Sequence, residues 1–87
     1  MRVEIVAYIA QVIEKVLNES PGDESTLLGQ GGVDLDSLSL LELTVHIERQ
    51  YHVKFSEDEL DTLGGLTIGG LADLVEEKIS AAAGGAR

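Results

Sequence analysis

The 87-residue chain contains no cysteine and only two histidines. Without cysteine it cannot form disulfide bonds or hold a metal ion through thiolates, and two histidines are too few for a histidine-based zinc site without carboxylate ligands. Aromatic residues are also scarce, with one Phe, two Tyr and no Trp, so aliphatic side chains must build the core. A chain of this length forms one domain with a single small core, which disfavours a deep catalytic cleft.

Basic residues are few as well, because six Lys and Arg accompany sixteen Asp and Glu and the formal net charge is -10. A chain this acidic repels phosphate backbones and anionic lipid headgroups, which argues against nucleic-acid and membrane-surface roles. Its hydrophobic content of 44% is too high for a disordered acidic tail. We therefore expect a folded protein whose partners carry basic patches.

The sequence has no evident targeting or membrane-spanning segment. Residues 1–17 are rich in apolar side chains, but Glu4, Gln11, Glu14 and Lys15 interrupt them and no small-residue cleavage site follows. No apolar run approaches the ~20 residues of a spanning helix. We expect a soluble, cytoplasmic monomer, and a discrete protein rather than a domain cut from a larger synthase, although the second origin stays open.

The first half of the chain is predicted to hold two helices joined by a long loop. Apolar residues recur at helical spacing over residues 3–18, and the turn-forming segment 20–23 should end that helix. A loop then runs to Asp36, with Leu27 and Leu28 expected to attach it to the core. The second helix should begin at Ser37 and end near Tyr51, since this segment contains no Gly or Pro.

The second half is predicted to hold a short third helix and a longer fourth one. Ser56 and Glu59 have the spacing of a capping box, and Phe55 and Leu60 that of a hydrophobic staple. Thr67 can cap the fourth helix. The predicted fold is a small all-α four-helix bundle, with a domain over residues 1–80 and a flexible tail over residues 81–87.

The second helix carries more apolar surface than one core contact needs. Its core stripe should contain Leu40, Leu43, Thr44, Ile47 and Tyr51. A second apolar stripe consists of Leu38, Leu41 and Val45. Either this helix is buried on two sides, or the second stripe is a docking surface that begins beside Ser37 and is edged by Glu42 and Arg49.

The start of this helix resembles the acyl carrier protein family. The run DSLSLLEL over residues 36–43 is similar to the family's DSL-x-x-x-E-L pattern, at the head of the second of four helices. Ile47, Glu48 and Tyr51 follow at the family's spacing, as do Phe55 and the pair Thr67-Ile68. The resemblance extends over roughly residues 3–79.

The resemblance implies a carrier that performs no catalysis itself. Ser37 would receive 4'-phosphopantetheine from coenzyme A through a separate phosphopantetheinyl transferase, and the thiol of that arm would carry acyl groups as thioesters. Asp36 and Leu38 would assist at the attachment site. Acyltransferases, ketosynthases or other acyl-processing enzymes with basic docking patches would be the partners. The implied partner-binding residues are Leu38, Leu41, Glu42, Val45, Glu48 and Arg49.

Three positions depart from the pattern usual in fatty-acid carriers and make the recognition face less acidic: Ser39, His46 and Arg49. They favour a carrier of polyketide or related secondary metabolism. Gly31-Gly32 lies well upstream of the serine and Leu35-Asp36 directly precedes it, which favours an acyl over an aminoacyl or peptidyl cargo. An aminoacyl carrier and a non-covalent acidic helical adaptor stay open as alternatives, as does a simple helix-capping role for Ser37.

Catalytic and metal-binding interpretations find little support. On one helix, Ser37 and His46 are nine residues apart, about 13 Å along the axis, which is too far for a nucleophile and its general base. A calcium-binding loop that starts at Asp34 would need Gly and Glu where Ser39 and Val45 lie. We expect neither an enzyme nor a metal site.

Overall fold

The computed structural model describes residues 1–85 of the chain and shows four α-helices. They are α1 (Arg2–Lys15), α2 (Ser37–Tyr51), α3 (Glu57–Thr62) and α4 (Ile68–Gly85), with a 3₁₀ turn at Leu63–Gly65 between α3 and α4. Within residues 1–85 the only β-type pairing is one isolated bridge between Leu27 and Thr67. The predicted all-α class and the predicted bounds of α2 are confirmed.

A single aliphatic core holds the helices together. α1 packs mainly on α4 and also contacts α2. Apart from Thr44, the largest fully buried side chains are aliphatic: Ile5, Ile9, Ile13, Leu28, Leu43, Ile47, Leu63, Ile68, Leu71 and Val75. At the rim, the rings of Tyr8 and Tyr51 meet edge to face with centroids 5.6 Å apart, a favourable aromatic geometry. The Tyr8 hydroxyl also donates to the His46 carbonyl oxygen at 3.1 Å, which joins α1 to α2.

The end of α1 differs from the prediction. The helix ends at Lys15 instead of continuing to residue 18, and Asn18 adopts a left-handed backbone conformation with φ 60°. Asparagine tolerates this conformation better than most residues. The amides of Leu17 and Glu19 bond back to carbonyl oxygens of the last turns of α1. The chain therefore leaves the helix before it reaches the predicted turn at residues 20–23.

The predicted starts of α3 and α4 are confirmed. The Ser56 hydroxyl accepts from the Glu59 amide at 3.2 Å, and the Glu59 carboxylate accepts from the Ser56 amide at 2.8 Å, which completes the capping box. The Thr67 hydroxyl accepts from the Gly70 amide at 2.9 Å. At the other end, α4 continues to Gly85, so no helix boundary lies at residue 80; positions 86 and 87 of the predicted tail lie outside the described residues.

The long loop between α1 and α2 is bonded to the segment between α3 and α4. Leu28 is fully buried, and its amide donates to the Leu66 carbonyl oxygen at 2.9 Å. The next amide, of Gly29, donates to the Gly64 carbonyl oxygen at 3.1 Å. These bonds bring the 3₁₀ turn close to the beginning of α2, and this proximity creates the site described next.

Candidate functional site

Ser37 is the first residue of α2, and Asp36, not Ser37, caps the helix. The Asp36 backbone is extended, and its carboxylate accepts from the Ser39 amide at 2.8 Å. This bond lowers the pKa of Asp36 below its ordinary value, since the backbone amide favours the charged carboxylate. The interpretation of Ser37 as an N-cap serine is therefore wrong. Its side chain is exposed and does not cap the helix.

The surroundings of the Ser37 hydroxyl suit an anion. The first turn of a helix presents amides without helical partners, and the helix dipole adds a partial positive charge there. No acidic side chain lies in the first turn of α2. The remaining amides at the start of α2 would therefore favour a phosphodiester on the Ser37 oxygen, against the repulsion of the neighbouring Asp36 carboxylate. These residues fit a phosphopantetheine arm.

Ser37 also lies at the edge of a groove of about 360 Å³. One wall comes from α2, and the other comes from α3 and the 3₁₀ turn. The lining residues are Ser37, Leu40, Leu41, Leu60, Asp61, Leu63 and Gly64. Four of these are leucines, and the volume is at the lower end of the range typical of small-molecule sites. The groove can therefore receive an apolar group attached near Ser37.

The sequence did not reveal this groove. We assigned Leu40 to the core stripe and Leu60 to a staple, and both are only half-buried. A helical pattern could not place these residues around one space, because the space depends on how the first loop holds the 3₁₀ turn near α2.

The second apolar stripe of α2 is exposed. Leu38 is 73% exposed, Leu41 48% and Val45 37%, whereas Leu43 and Ile47 on the core side are fully buried. The interpretation of α2 as a helix buried on two sides is therefore wrong. Two charged residues, Glu42 and Arg49, are also exposed on this helix. An uncovered row of large aliphatic side chains beside Ser37 is typical of a recognition surface.

Glu48 has a role within the chain. Its side chain is half-buried, and its carboxylate accepts from the Phe55 amide at 2.9 Å. This contact ties α2 to the residue that precedes the cap of α3. The structure thus separates Glu48 from the more exposed predicted recognition residues, such as Glu42 and Arg49.

An ion pair attaches α3 to α4. The Lys78 ammonium lies 2.7 Å from the Glu59 carboxylate and 5.2 Å from the centroid of the Phe55 ring. The hydrogen bond from Lys78, and then the Ser56 amide, lower the pKa of Glu59 below its ordinary value. Because α3 contributes no buried residue, these contacts are important for the position of this groove wall.

The acidic side chains of residues 1–85 do not form a metal-binding cluster. No group of three or more His, Asp or Glu side chains there could hold a metal ion. In the same part of the chain, no helix has the length and apolar character needed to cross a membrane.

Comparisons with known proteins match the chain to one family and to several named relatives. Residues 7–75 match the family described as "Phosphopantetheine attachment site". A meromycolate extension acyl carrier protein of Mycolicibacterium aurum is 34% identical over 85 residues, which cover 92% of this chain and 86% of that protein. The protein of the same name from Mycobacterium leprae is 32% identical over 77 residues, covering 85% of this chain; the chain spans only 64% of that relative's length.

A solved structure supports the fold. The crystal structure of an acyl carrier protein from Thermotoga maritima superposes with a TM-score of 0.76 at 16% sequence identity, and the alignment covers 92% of each chain. At this identity the likeness concerns the fold alone. It agrees with the four-helix architecture.

Proposed function

The chain belongs to the acyl carrier proteins of the phosphopantetheine attachment family, and from this premise we propose that Ser37 is the residue that carries the arm. Members of this family carry 4'-phosphopantetheine covalently, and they are carriers rather than catalysts. When bound, the arm supplies the thiol that holds the acyl group. The observation that carries the proposal is the exposed Ser37 hydroxyl, uninvolved in capping, at the edge of the leucine groove.

The reaction proposed at Ser37 is the transfer of a phosphopantetheine group to its hydroxyl oxygen. Its hydroxyl oxygen forms a bond to the phosphorus of coenzyme A that bears the pantetheine group, the bond from that phosphorus to adenosine bisphosphate breaks, and the hydroxyl proton is released. The transferase supplies the catalytic groups for this step. The α2 amides then favour the phosphodiester charge on Ser37, and Asp36 keeps the helix start in place.

Partner recognition is proposed for the exposed face of α2. Leu38 and Asp36 flank Ser37 and would contact the transferase. Leu41 and Val45 extend the apolar surface along the helix toward acyl-processing enzymes, with Glu42 offering charge to a basic patch. Such an arrangement, with an apolar centre and a charged rim, is common in transient interfaces.

The cargo we propose is an apolar acyl chain that lies in the leucine groove. Two relatives bear the name meromycolate extension acyl carrier protein, which points toward acyl chains. The polyketide pathway expected from Ser39, His46 and Arg49 depends on those three residues alone, and the names of the relatives do not point to it. The leucines of the groove also favour an acyl over an aminoacyl cargo, because an acyl chain is apolar.

Intact mass spectrometry tests the attachment residue. The protein is incubated with coenzyme A, magnesium and a permissive phosphopantetheinyl transferase, beside Ser37→Ala and the matched control Ser39→Ala in the same helical turn. We expect one phosphopantetheine on the wild type and on Ser39→Ala, and none on Ser37→Ala. Addition to Ser37→Ala would assign the arm to another residue. No addition to folded wild type, with a control carrier modified in parallel, would favour the non-covalent adaptor.

A further inference from the structure

We infer that Gly64 determines how long an acyl chain the groove can hold. The inference rests on the proposed function of Ser37 as the attachment residue. Gly64 lines the groove opposite the beginning of α2, and it is the only lining residue without a side chain. Any side chain at position 64 would occupy part of the groove beside Leu40.

The geometry at Gly64 leaves room for a side chain. A Cβ added there would lie 3.8 Å from Leu40 Cδ1 and 3.9 Å from Gly29 Cα, which are ordinary van der Waals distances. The φ angle of Gly64 is outside the left-handed region that favours glycine. Neither packing nor backbone conformation therefore demands glycine at this position. Substitution should change the groove without breaking the fold.

Other glycines of the chain are constrained in ways that Gly64 is not. Gly22 and Gly31 have φ angles of 75° and 96°, at which a side chain would be strained. A Cβ on Gly29 would lie 2.8 Å from the Gly64 carbonyl oxygen, so Gly29 permits the close approach of the loop to the 3₁₀ turn. That approach keeps Gly64 beside the groove.

Gly65 offers a matched control in the same 3₁₀ turn. It is exposed, its φ is also outside the left-handed region, and a Cβ there would meet nothing within 4 Å. It does not line the groove. Substitutions at Gly64 and Gly65 therefore change the same local backbone, but only those at Gly64 change the groove.

The experiment measures how the thermal midpoint depends on cargo length. Wild type, Gly64→Ala, Gly64→Leu and Gly65→Leu are loaded with acetyl, hexanoyl and dodecanoyl phosphopantetheine from the matching coenzyme A thioesters, and loading is verified by intact mass. In the wild type we expect the Tm to rise above that of the acetyl form by about 3–6 °C for each methylene that leaves water. Gly65→Leu should show the same rise.

The variants at position 64 should lose part of this dependence. Gly64→Leu should show little rise beyond the acetyl form, and Gly64→Ala should show an intermediate rise. Parallel profiles in all four proteins would overturn the inference, as would a wild type whose Tm is independent of chain length although mass shows full loading. Absence of loading would instead refute the proposed function. Gly64→Ala keeps the test valid if Gly64→Leu fails to fold.

Discussion

Truncation of Leu38 should affect recognition far more than stability, and truncation of Leu43 should do the reverse. Leu38 is 73% exposed, so about a quarter of its surface is covered, whereas Leu43 is fully buried. If full burial of a leucine contributes about 1.5–3 kcal/mol, Leu38→Ala costs about 0.4–0.8 kcal/mol. Leu43→Ala leaves a cavity in the core and costs about 2–5 kcal/mol.

These values convert into separable changes in thermal midpoint. A domain of this size loses about 4–8 °C for each kcal/mol, so Leu38→Ala should lower Tm by about 2–6 °C and Leu43→Ala by at least about 8 °C. As an interface residue, Leu38→Ala should also lower kcat/KM for arm transfer by the transferase roughly fivefold or more. Val3→Ala is the control, since Val3 is 78% exposed on α1.

The two readouts together can refute the reasoning. If Leu38→Ala lowers Tm as much as Leu43→Ala does, the second stripe of α2 contributes to packing and is not a recognition surface. If Leu38→Ala and Val3→Ala are loaded equally fast, the transferase does not contact this end of the stripe. Circular dichroism at the assay temperature confirms that each variant is folded when its loading rate is measured.

Two further predictions concern contacts that α4 makes with other parts of the chain. Lys78→Met should lower the free energy of unfolding by about 1 kcal/mol at neutral pH. Because Lys78 lowers the pKa of Glu59 from its ordinary 4.5, this stabilisation is present above pH 4.5 and lost as the pH falls through the lower folded value. Urea unfolding should show the wild-type advantage shrinking below that pH, and an advantage unchanged in acid would contradict the ion pair. Gly69→Ala should destabilise by about 1–3 kcal/mol, because the added Cβ would lie 3.2 Å from the Glu24 carbonyl oxygen. Gly65→Ala, which meets no atom, is its control, and equal midpoints for the two variants would contradict this packing argument.

Much of the fold followed from local sequence patterns. The capping box at Ser56 and Glu59 and the cap at Thr67 are short-range signals, in which a side chain bonds an amide three residues away. Such signals act within one turn of chain and do not depend on distant packing. The predicted end of α1 lies too far along the chain. Apolar spacing continues to Leu17, but the helix ends at Lys15 and Asn18 adopts a left-handed conformation.

At the site, the sequence indicated Ser37 and the two apolar stripes of α2, but not whether the second stripe is covered. Periodicity shows which faces of a helix are apolar, but it does not show which of these faces another element covers. The capping role of Asp36 was also missed, because Asp36 and Ser37 are both residues that cap helices. Only the backbone conformation, extended at Asp36 and helical from Ser37, distinguishes them.

The sequence by itself determined the helices, the acidic character and the attachment motif, because these depend on residue type and on spacing within a few turns. The tertiary structure decided that the Leu38 stripe is uncovered and that Glu48 bonds to the Phe55 amide. It also created the groove, since the amide of Gly29 must reach the carbonyl oxygen of Gly64 before the 3₁₀ turn can lie beside Ser37. Contacts between residues so distant in the chain do not produce a periodic pattern in the sequence.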